Sequence, residues 1–254
     1  MSLLTVKDLT VTFGALRALD SVSVEVNTAQ IVGIIGPNGA GKSSFFNALS
    51  GATRITSGSL MFDGVCLNGM QIHQIAARGI SRTFQNIRLF PHMSALDNVL
   101  VGEHMRLRSG IFADMIHAKP MRQEEIAAEG RARHLLDFVG LRAAHALRMA
   151  GTLAYGEQRR LEIARALAAQ PKLIMLDEPA AGLNATEKRD LAQLVRSIAD
   201  TQIAVLLVEH DMSFVMPLCE RLVVLDYGIK IADDHPEVVR ANPEVIAAYL
   251  GVNP

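Results

Sequence analysis

At 254 residues the chain is long enough for one large domain, or for a core with a subdomain. Its net charge of −1, from 25 basic and 26 acidic residues, argues against nucleic acid as the main partner, because phosphate-tracking proteins carry a basic excess or stripe. Met1-Ser2-Leu3-Leu4-Thr5-Val6-Lys7-Asp8 has no basic stretch followed by an apolar core, so no signal peptide is expected, and no apolar run approaches the roughly 18–20 residues that cross a bilayer.

The chain begins with period-two alternation, Leu4-Thr5-Val6, Thr10-Val11-Thr12-Phe13 and Val22-Ser23-Val24-Glu25-Val26, which predicts antiparallel strands. The apolar run Ile31-Val32-Gly33-Ile34-Ile35 follows, then Gly36-Pro37-Asn38-Gly39-Ala40-Gly41-Lys42-Ser43. Gly-x4-Gly-Lys-Ser after a strand is a phosphate-binding loop, Walker A. Its glycines let successive N–H groups converge on a phosphate, and the helix beginning near Lys42 adds the positive end of its dipole. Lys42 is expected to reach the β- and γ-phosphates and the Ser43 hydroxyl to ligate Mg²⁺. The spacing therefore predicts a nucleoside-triphosphate site. Ser59-Leu60-Met61-Phe62-Asp63-Gly64-Val65 reads as a strand running into an Asp-Gly hairpin turn.

From about Gly102 to Arg148 the pattern turns helical, with partial apolar spacing at Ile126, Leu135, Leu136, Phe138 and Val139 and a break at Pro120. Glu103, Asp114, Glu124, Glu125, Glu129 and Asp137 interleave with its arginines, as on a solvated face. Leu153-Ala154-Tyr155-Gly156-Glu157-Gln158 then precedes the helix-like Leu161-Glu162-Ile163-Ala164, a second glycine turn at a helix start and a further candidate anion site. The runs Leu173-Ile174-Met175-Leu176 and Ala204-Val205-Leu206-Leu207-Val208 are apolar throughout, as expected of strands covered on both faces. Between them Leu191, Leu194, Val195 and Ile198 line one face of a helix whose start, Asn184-Ala185-Thr186-Glu187, predicts a capping box. Strand–helix–strand alternation implies a parallel α/β core.

Asp177 and Glu178 follow the first of these runs, where an α/β sheet places ligand groups. Asp177 is expected to hold Mg²⁺ through water and Glu178 to polarise an attacking water. His210, beyond the second run, occupies the equivalent place and is expected to sense the γ-phosphate. His73, His92, His104, His117, His134, His145 and His235 are read as structural. Cys66 and Cys219 lack metal-ligand spacing and sit in apolar sequence, so both are expected to be reduced thiols.

Taken in order, these segments resemble the ATP-binding subunit of ABC transporters over essentially the whole chain. The resemblance implies a P-loop α/β fold with a RecA-like parallel-sheet core, an N-terminal antiparallel β part and an inserted helical subdomain. The single ATP-binding domain 1–254 would comprise a core over about 1–101 and 160–254 and a helical part over 102–159. Phe13 stands where the family stacks an aromatic on adenine, and Gly36, Pro37, Asn38, Gly39, Ala40, Gly41, Lys42, Ser43 and Ser44 form the nucleotide loop. Gln85 stands as the Q-loop glutamine, a catalytic and metal-contacting position. Ala154, Tyr155, Gly156 and Glu157 belong to the signature motif, acting in trans on the ATP of a second cassette. Leu173 to Asp177 is Walker B, Glu178 the catalytic glutamate, Ala181-Gly182-Leu183-Asn184 the D-loop and His210 the switch histidine.

Finer features are similar to the LivG-type branch of branched-chain amino-acid importers: Arg82-Thr83-Phe84-Gln85-Asn86-Ile87-Arg88-Leu89-Phe90, Ala180-Ala181-Gly182-Leu183-Asn184, the helical stretch after Gly102, and Val245-Ile246-Ala247-Ala248-Tyr249-Leu250-Gly251. The resemblance implies an Mg²⁺- and ATP-dependent ATPase, peripheral on the cytoplasmic face of the inner membrane. It would pair head-to-tail with a second cassette, a paralogue or itself, and drive two membrane permeases. A substrate-binding protein would act indirectly. The cargo would be branched-chain or other hydrophobic amino acids, with amides or urea as alternatives. The sequence departs from the general family at Ala154, where a serine hydroxyl usually meets the γ-phosphate, a loss worth roughly 1.5–3 kcal/mol. It also has Asn184 where Asp is typical. A soluble repair or translation ATPase would carry two cassettes or a long coiled coil, and neither is present. A non-hydrolysing regulatory module conflicts with Lys42, Glu178 and His210. A GTPase would need an Asn-Lys-x-Asp guanine reader, and the sequence has none.

Overall fold

A computed structural model describes residues 2–103 and 119–250; Asp114, His104 and His117 lie outside them. The contacts divide the chain into two compact units, Met1–Arg82 with Lys172–Pro254, and Thr83–Pro171.

In the first unit, β1 (Ser2–Phe13) and β2 (Leu16–Asn27) pair as an antiparallel hairpin. Alternation predicts two short strands where β1 is one: Asp8 at φ 50° and a register shift between Val6 and Leu9 make a bulge that restores the inward face. β3 (Ile31–Ile35) is buried along its length and leads through the glycine loop into α1 (Lys42–Leu49). A helix of this length is marginal alone. Phe45, Phe46 and Leu49, all fully buried, hold it down, each worth roughly 1.5–3 kcal/mol. β4 (Ser57–Phe62) turns through Asp63-Gly64, both at positive φ, into β5 (Val65–Cys66), the expected hairpin. α2 (Ile72–Ala77) and β6 (Ile80–Arg82) complete this stretch.

The second unit contains α3 (Ala95–Glu103), α4 (Lys119–Phe138) and α5 (Tyr155–Ala168). Pro120, expected to break this stretch, lies within α4 beside the residues outside the description. The buried face of α4 is Ala128, Ala132 and Leu136, with Val139 buried just beyond its end, whereas Ile126 is exposed. Alanine carries this face because it permits close helix approach, and a hydrophobicity pattern under-weights it.

The chain returns to the first unit with β7 (Leu173–Asp177), α6 (Ala185–Asp200), β8 (Ala204–Val208), α7 (Met212–Leu218), β9 (Arg221–Asp226), β10 (Ile229–Asp234), α8 (Pro236–Ala241) and α9 (Pro243–Leu250). Both predicted apolar runs are fully buried parallel strands. The predicted α6 cap is present: Asn184 Oδ1 accepts from the N–H groups of Thr186 and Glu187, and Glu187 accepts from Asn184 N–H. The sheets run β2-β1-β4-β5 and β10-β9-β3-β8-β7-β6, the latter parallel except at its β10 edge. One buried cluster, including Leu4, Val24, Val32, Phe45, Leu60, Met175 and Leu206, joins both sheets to α1. Parallel order brings the carboxyl ends of β3, β7 and β8 to one edge, where the polar residues gather. Among the described residues no helix is long and apolar enough to cross a membrane.

Candidate active site

The loop after β3 is shaped by close backbone approach. A Cβ on Gly36 would stand 2.0 Å from the Leu225 carbonyl oxygen, and one on Gly41 2.6 Å from that of Ala18, so side chains are excluded at both. Gly41, at φ 100°, is the residue before α1 and offers no capping side chain, which leaves the first N–H groups of α1 for an anion. Pro37 and Asn38 form the outer bend, Gly39 is exposed, and Ala40 is buried beneath, its carbonyl accepting from Gly228 N–H at 3.0 Å. Lys42 Nζ donates to the carbonyls of Gly36 (2.7 Å) and Pro37 (2.8 Å). An ammonium has three donors, so this geometry leaves one for a phosphate oxygen. Burial lowers the Lys42 pKa, and the Glu178 charge opposes the fall. Ser43 is exposed at the loop and Ser44 half-buried. Phe13, half exposed at the end of β1, pairs across the hairpin with Leu16 and offers a flat ring to solvent.

Asp177 ends β7, 8% exposed, with Oδ2 2.8 Å from Arg82 Nη2. Arg82 is in turn anchored by Asn47 Oδ1 (2.8 Å) and Ser50 Oγ (3.0 Å) of the α1 end. Glu178 follows at φ 46°, in the left-handed region, with its N–H donating to Val208 O at 2.9 Å. Such backbone in a non-glycine residue costs about 1–3 kcal/mol and persists where neighbours impose it. His210, largely exposed, has Nδ1 3.9 Å from Glu178 Oε2, an electrostatic contact longer than a hydrogen bond. The structure therefore brings Lys42, Ser43, Asp177, Glu178 and His210 to one edge of one sheet.

Gln85 and the signature residues belong to the second unit. Gln85 is exposed, and its carbonyl accepts from Arg159 Nη2 at 2.9 Å. Ala154 precedes α5 without an oxygen to cap it, so only half of a capping box forms: Glu157 accepts from Ala154 N–H at 2.9 Å. Tyr155 is exposed and Gly156 buried. Arg159, fully buried, also donates to Phe84 O (2.8 Å), Tyr155 Oη (3.2 Å) and Glu162 Oε2 (2.9 Å).

Sequence reasoning passed over Arg82, Arg159, Glu209 and Tyr249. Glu209 is buried, with Oε1 accepting from Ala180 N–H at 2.7 Å and Oε2 from His210 N–H at 3.3 Å. Burial pushes its carboxyl up, and those two N–H groups act against the rise. Burial raises the Tyr249 phenol to about 12, and the Gly36 backbone acts against the rise. The one sequence signal was a charged residue, Glu209, immediately beyond an otherwise apolar strand. One cysteine differs from its expected apolar setting: Cys66 is exposed, on the short edge strand β5, whereas Cys219 is buried as expected and its thiol raised by burial to about 12.

The donors fit Mg²⁺. Asp177 and Ser43 offer hard oxygens, and among the described residues no cluster of His, Cys, Asp and Glu makes a closed cage, consistent with an ion that takes few protein ligands and completes its shell with phosphate and water.

Residues 19–181 match the ABC transporter family profile, and residues 230–253 that of the branched-chain amino acid ATP-binding cassette transporters. The chain is 46% identical to the high-affinity branched-chain amino acid transport ATP-binding protein BraF of Pseudomonas aeruginosa, over 98% of each chain. It is 43% identical to LivG of Escherichia coli, again over 98% of each, and 32% identical to the lipopolysaccharide export ATP-binding protein LptB of the same species, over 99% of this chain and 98% of LptB. The ATP-binding cassette MJ1267 in its ADP conformation superposes with a TM-score of 0.86 at 30% identity, covering 99% of both chains. With the glycine loop, the buried acidic strand end and His210 on one sheet edge, the chain belongs to the ABC transporter family, as an ATP-binding cassette ATPase.

Proposed function

We propose that this chain powers uptake of branched-chain or other hydrophobic amino acids by hydrolysing Mg-ATP on the cytoplasmic face of the inner membrane, coupled to two permease subunits. The observation that carries the hydrolytic part is the gathering of Lys42, Ser43, Asp177, Glu178 and His210 at the carboxyl ends of β3, β7 and β8. The C-terminal profile match and the likeness to BraF and LivG support the cargo.

In this reading the loop 36–44 wraps the phosphates with backbone N–H groups, Lys42 neutralises the β- and γ-phosphates, and Phe13 stacks on adenine. Ser43 and Asp177, with Gln85, would hold Mg²⁺, which supplies charge neutralisation on the phosphate oxygens. Glu178 accepts the proton of the attacking water, and His210, beside it, contacts the γ-phosphate. The Ala154-Tyr155-Gly156-Glu157 segment of a second cassette, a copy or a paralogue, closes over the same ATP. Gln85 and the inserted unit pass the motion of closure to the permeases. A substrate-binding protein outside the membrane supplies the cargo and sets its specificity.

Glu178→Gln is the direct test. The expected result is a fall in steady-state phosphate release of about 10²–10⁴-fold with ATP binding retained. Steady-state turnover at the parent rate would remove Glu178 as the base. The cargo is tested by deleting the gene and measuring labelled leucine, isoleucine and valine uptake, with co-isolation of the membrane partners; unchanged uptake of all three would redirect the search to other solutes.

A further inference from the structure

The turn that carries Glu178 and the loop that carries His210 are held by one side chain that neither motif includes. Glu178 sits at φ 46°, a conformation that a non-glycine residue keeps only under external restraint. Part of that restraint is backbone: Asp177 pairs with Val208 in the β7–β8 register, and Glu178 N–H donates to Val208 O at 2.9 Å. The turn then closes through Ala181 N–H to Glu178 O at 3.2 Å. Between these bonds lies the Ala180 N–H, 2% exposed as a residue, whose acceptor is the Glu209 carboxylate at 2.7 Å. The other Glu209 oxygen accepts from the N–H of His210 at 3.3 Å.

The Glu209 carboxyl group is itself 1% exposed and lies among groups of opposing sign, with His210 and Glu178 both close enough to act on it. A side chain used only to fill this space would be apolar, since burying a carboxylate without a cationic partner is unfavourable. Its reach to one N–H in each loop explains its presence. We infer that Glu209 is a positioning residue for hydrolysis, a clamp whose two oxygens fix the strained Glu178 turn and the His210 loop in one register, so that base and γ-phosphate contact are aligned together. It acts through the Ala180 and His210 N–H groups. The inference rests on the roles proposed above for Glu178 and His210.

The test compares full-length parent, Glu209→Leu, Glu209→Gln, Glu209→Asp and Glu178→Gln by steady-state ATP hydrolysis, ATP binding at equilibrium and thermal melting. Leucine fills the space but leaves the buried Ala180 N–H without an acceptor; kcat is expected to fall about 10–100-fold with KM for ATP within about twofold of the parent. Glutamine keeps one oxygen for the Ala180 N–H but turns its NH2 toward the His210 N–H, so it is expected to recover only part of the loss that leucine causes. Aspartate is one methylene shorter, cannot serve both N–H groups, and is expected to fall between them, which decides the matter if the leucine variant does not fold. The clamp is overturned if the folded leucine or aspartate variant turns over at the parent kcat, if KM rises while kcat holds, or if glutamine is no better than leucine. Glu178→Gln separates the two readings: its full activity would remove the base assignment, whereas its inactivity beside parent-level Glu209 variants would remove the clamp alone.

Discussion

Glu162 in the second unit and Glu209 in the first are both almost completely buried, and they are held differently: Glu162 by a guanidinium together with backbone N–H groups, Glu209 by backbone N–H groups. Glu162, 1% exposed, pairs with the fully buried Arg159 guanidinium at 2.9 Å and accepts from the Phe84 and Arg88 N–H groups at 3.4 and 3.2 Å, while Arg159 also donates to the Phe84 and Gln85 carbonyls and to Tyr155 Oη. Glu209, equally buried, has backbone N–H groups and no guanidinium, and its carboxyl is pushed upward by burial. A carboxylate matched by a planar guanidinium makes a fixed strut, whose value appears as stability of the unit around it. A carboxylate held by two N–H groups from separate loops gains little net stability, and its position, between Glu178 and His210, points to turnover instead.

That difference can be broken experimentally. The largest effect on folding is expected from Arg159→Met, which leaves Glu162 buried without its cation and should destabilise by about 3–5 kcal/mol in urea or thermal unfolding. Adding Glu162→Leu to that variant should return much of the loss, because an apolar pair of similar volume avoids desolvation; a double variant no more stable than the single would show that the Phe84 and Gln85 carbonyls, not the charge, dominate. Glu209→Leu should destabilise less, about 1–3 kcal/mol for one orphaned buried donor, while depressing turnover. Equal stability losses in the two units would erase the contrast.

The smallest effect is expected at Asp211, where the Lys188 ammonium, with Ser213 hydrogen bonds, holds the carboxyl down at about 2. A carboxyl depressed in the folded state adds stability above its ordinary value of 3.8, and that stability is lost as pH falls toward 2. Asp211→Asn should therefore lower the melting temperature modestly at neutral pH and flatten its decline between about pH 4 and 2. An unchanged slope would show that the Lys188 contact contributes nothing to folding.

What the chain encodes locally could be read directly. The glycine spacing before Lys42, the uninterrupted apolar runs of β7 and β8, the Asp63-Gly64 turn and the Asn184 cap each depend on residues a few positions apart, and each appears as expected. Of the expected apolar positions in the α4 stretch, Leu136 and Val139 are buried and Ile126 alone is exposed, while Ala128 and Ala132 supply the burial that a pattern of large residues does not show. β1 was read as two strands because a bulge at Asp8 interrupts the alternation without ending the strand.

The sequence by itself thus determined the family, the phosphate loop and the positions of Asp177, Glu178 and His210, since these follow from strand ends and short spacings. Only the tertiary structure decided what holds them: Arg82 on Asp177, Glu209 on Ala180 and His210, and Arg159 on Gln85. Most of these contacts join residues far apart in the chain through the register of parallel strands and the docking of helix ends. That register is set by packing the whole core, and no local pattern of residues carries it.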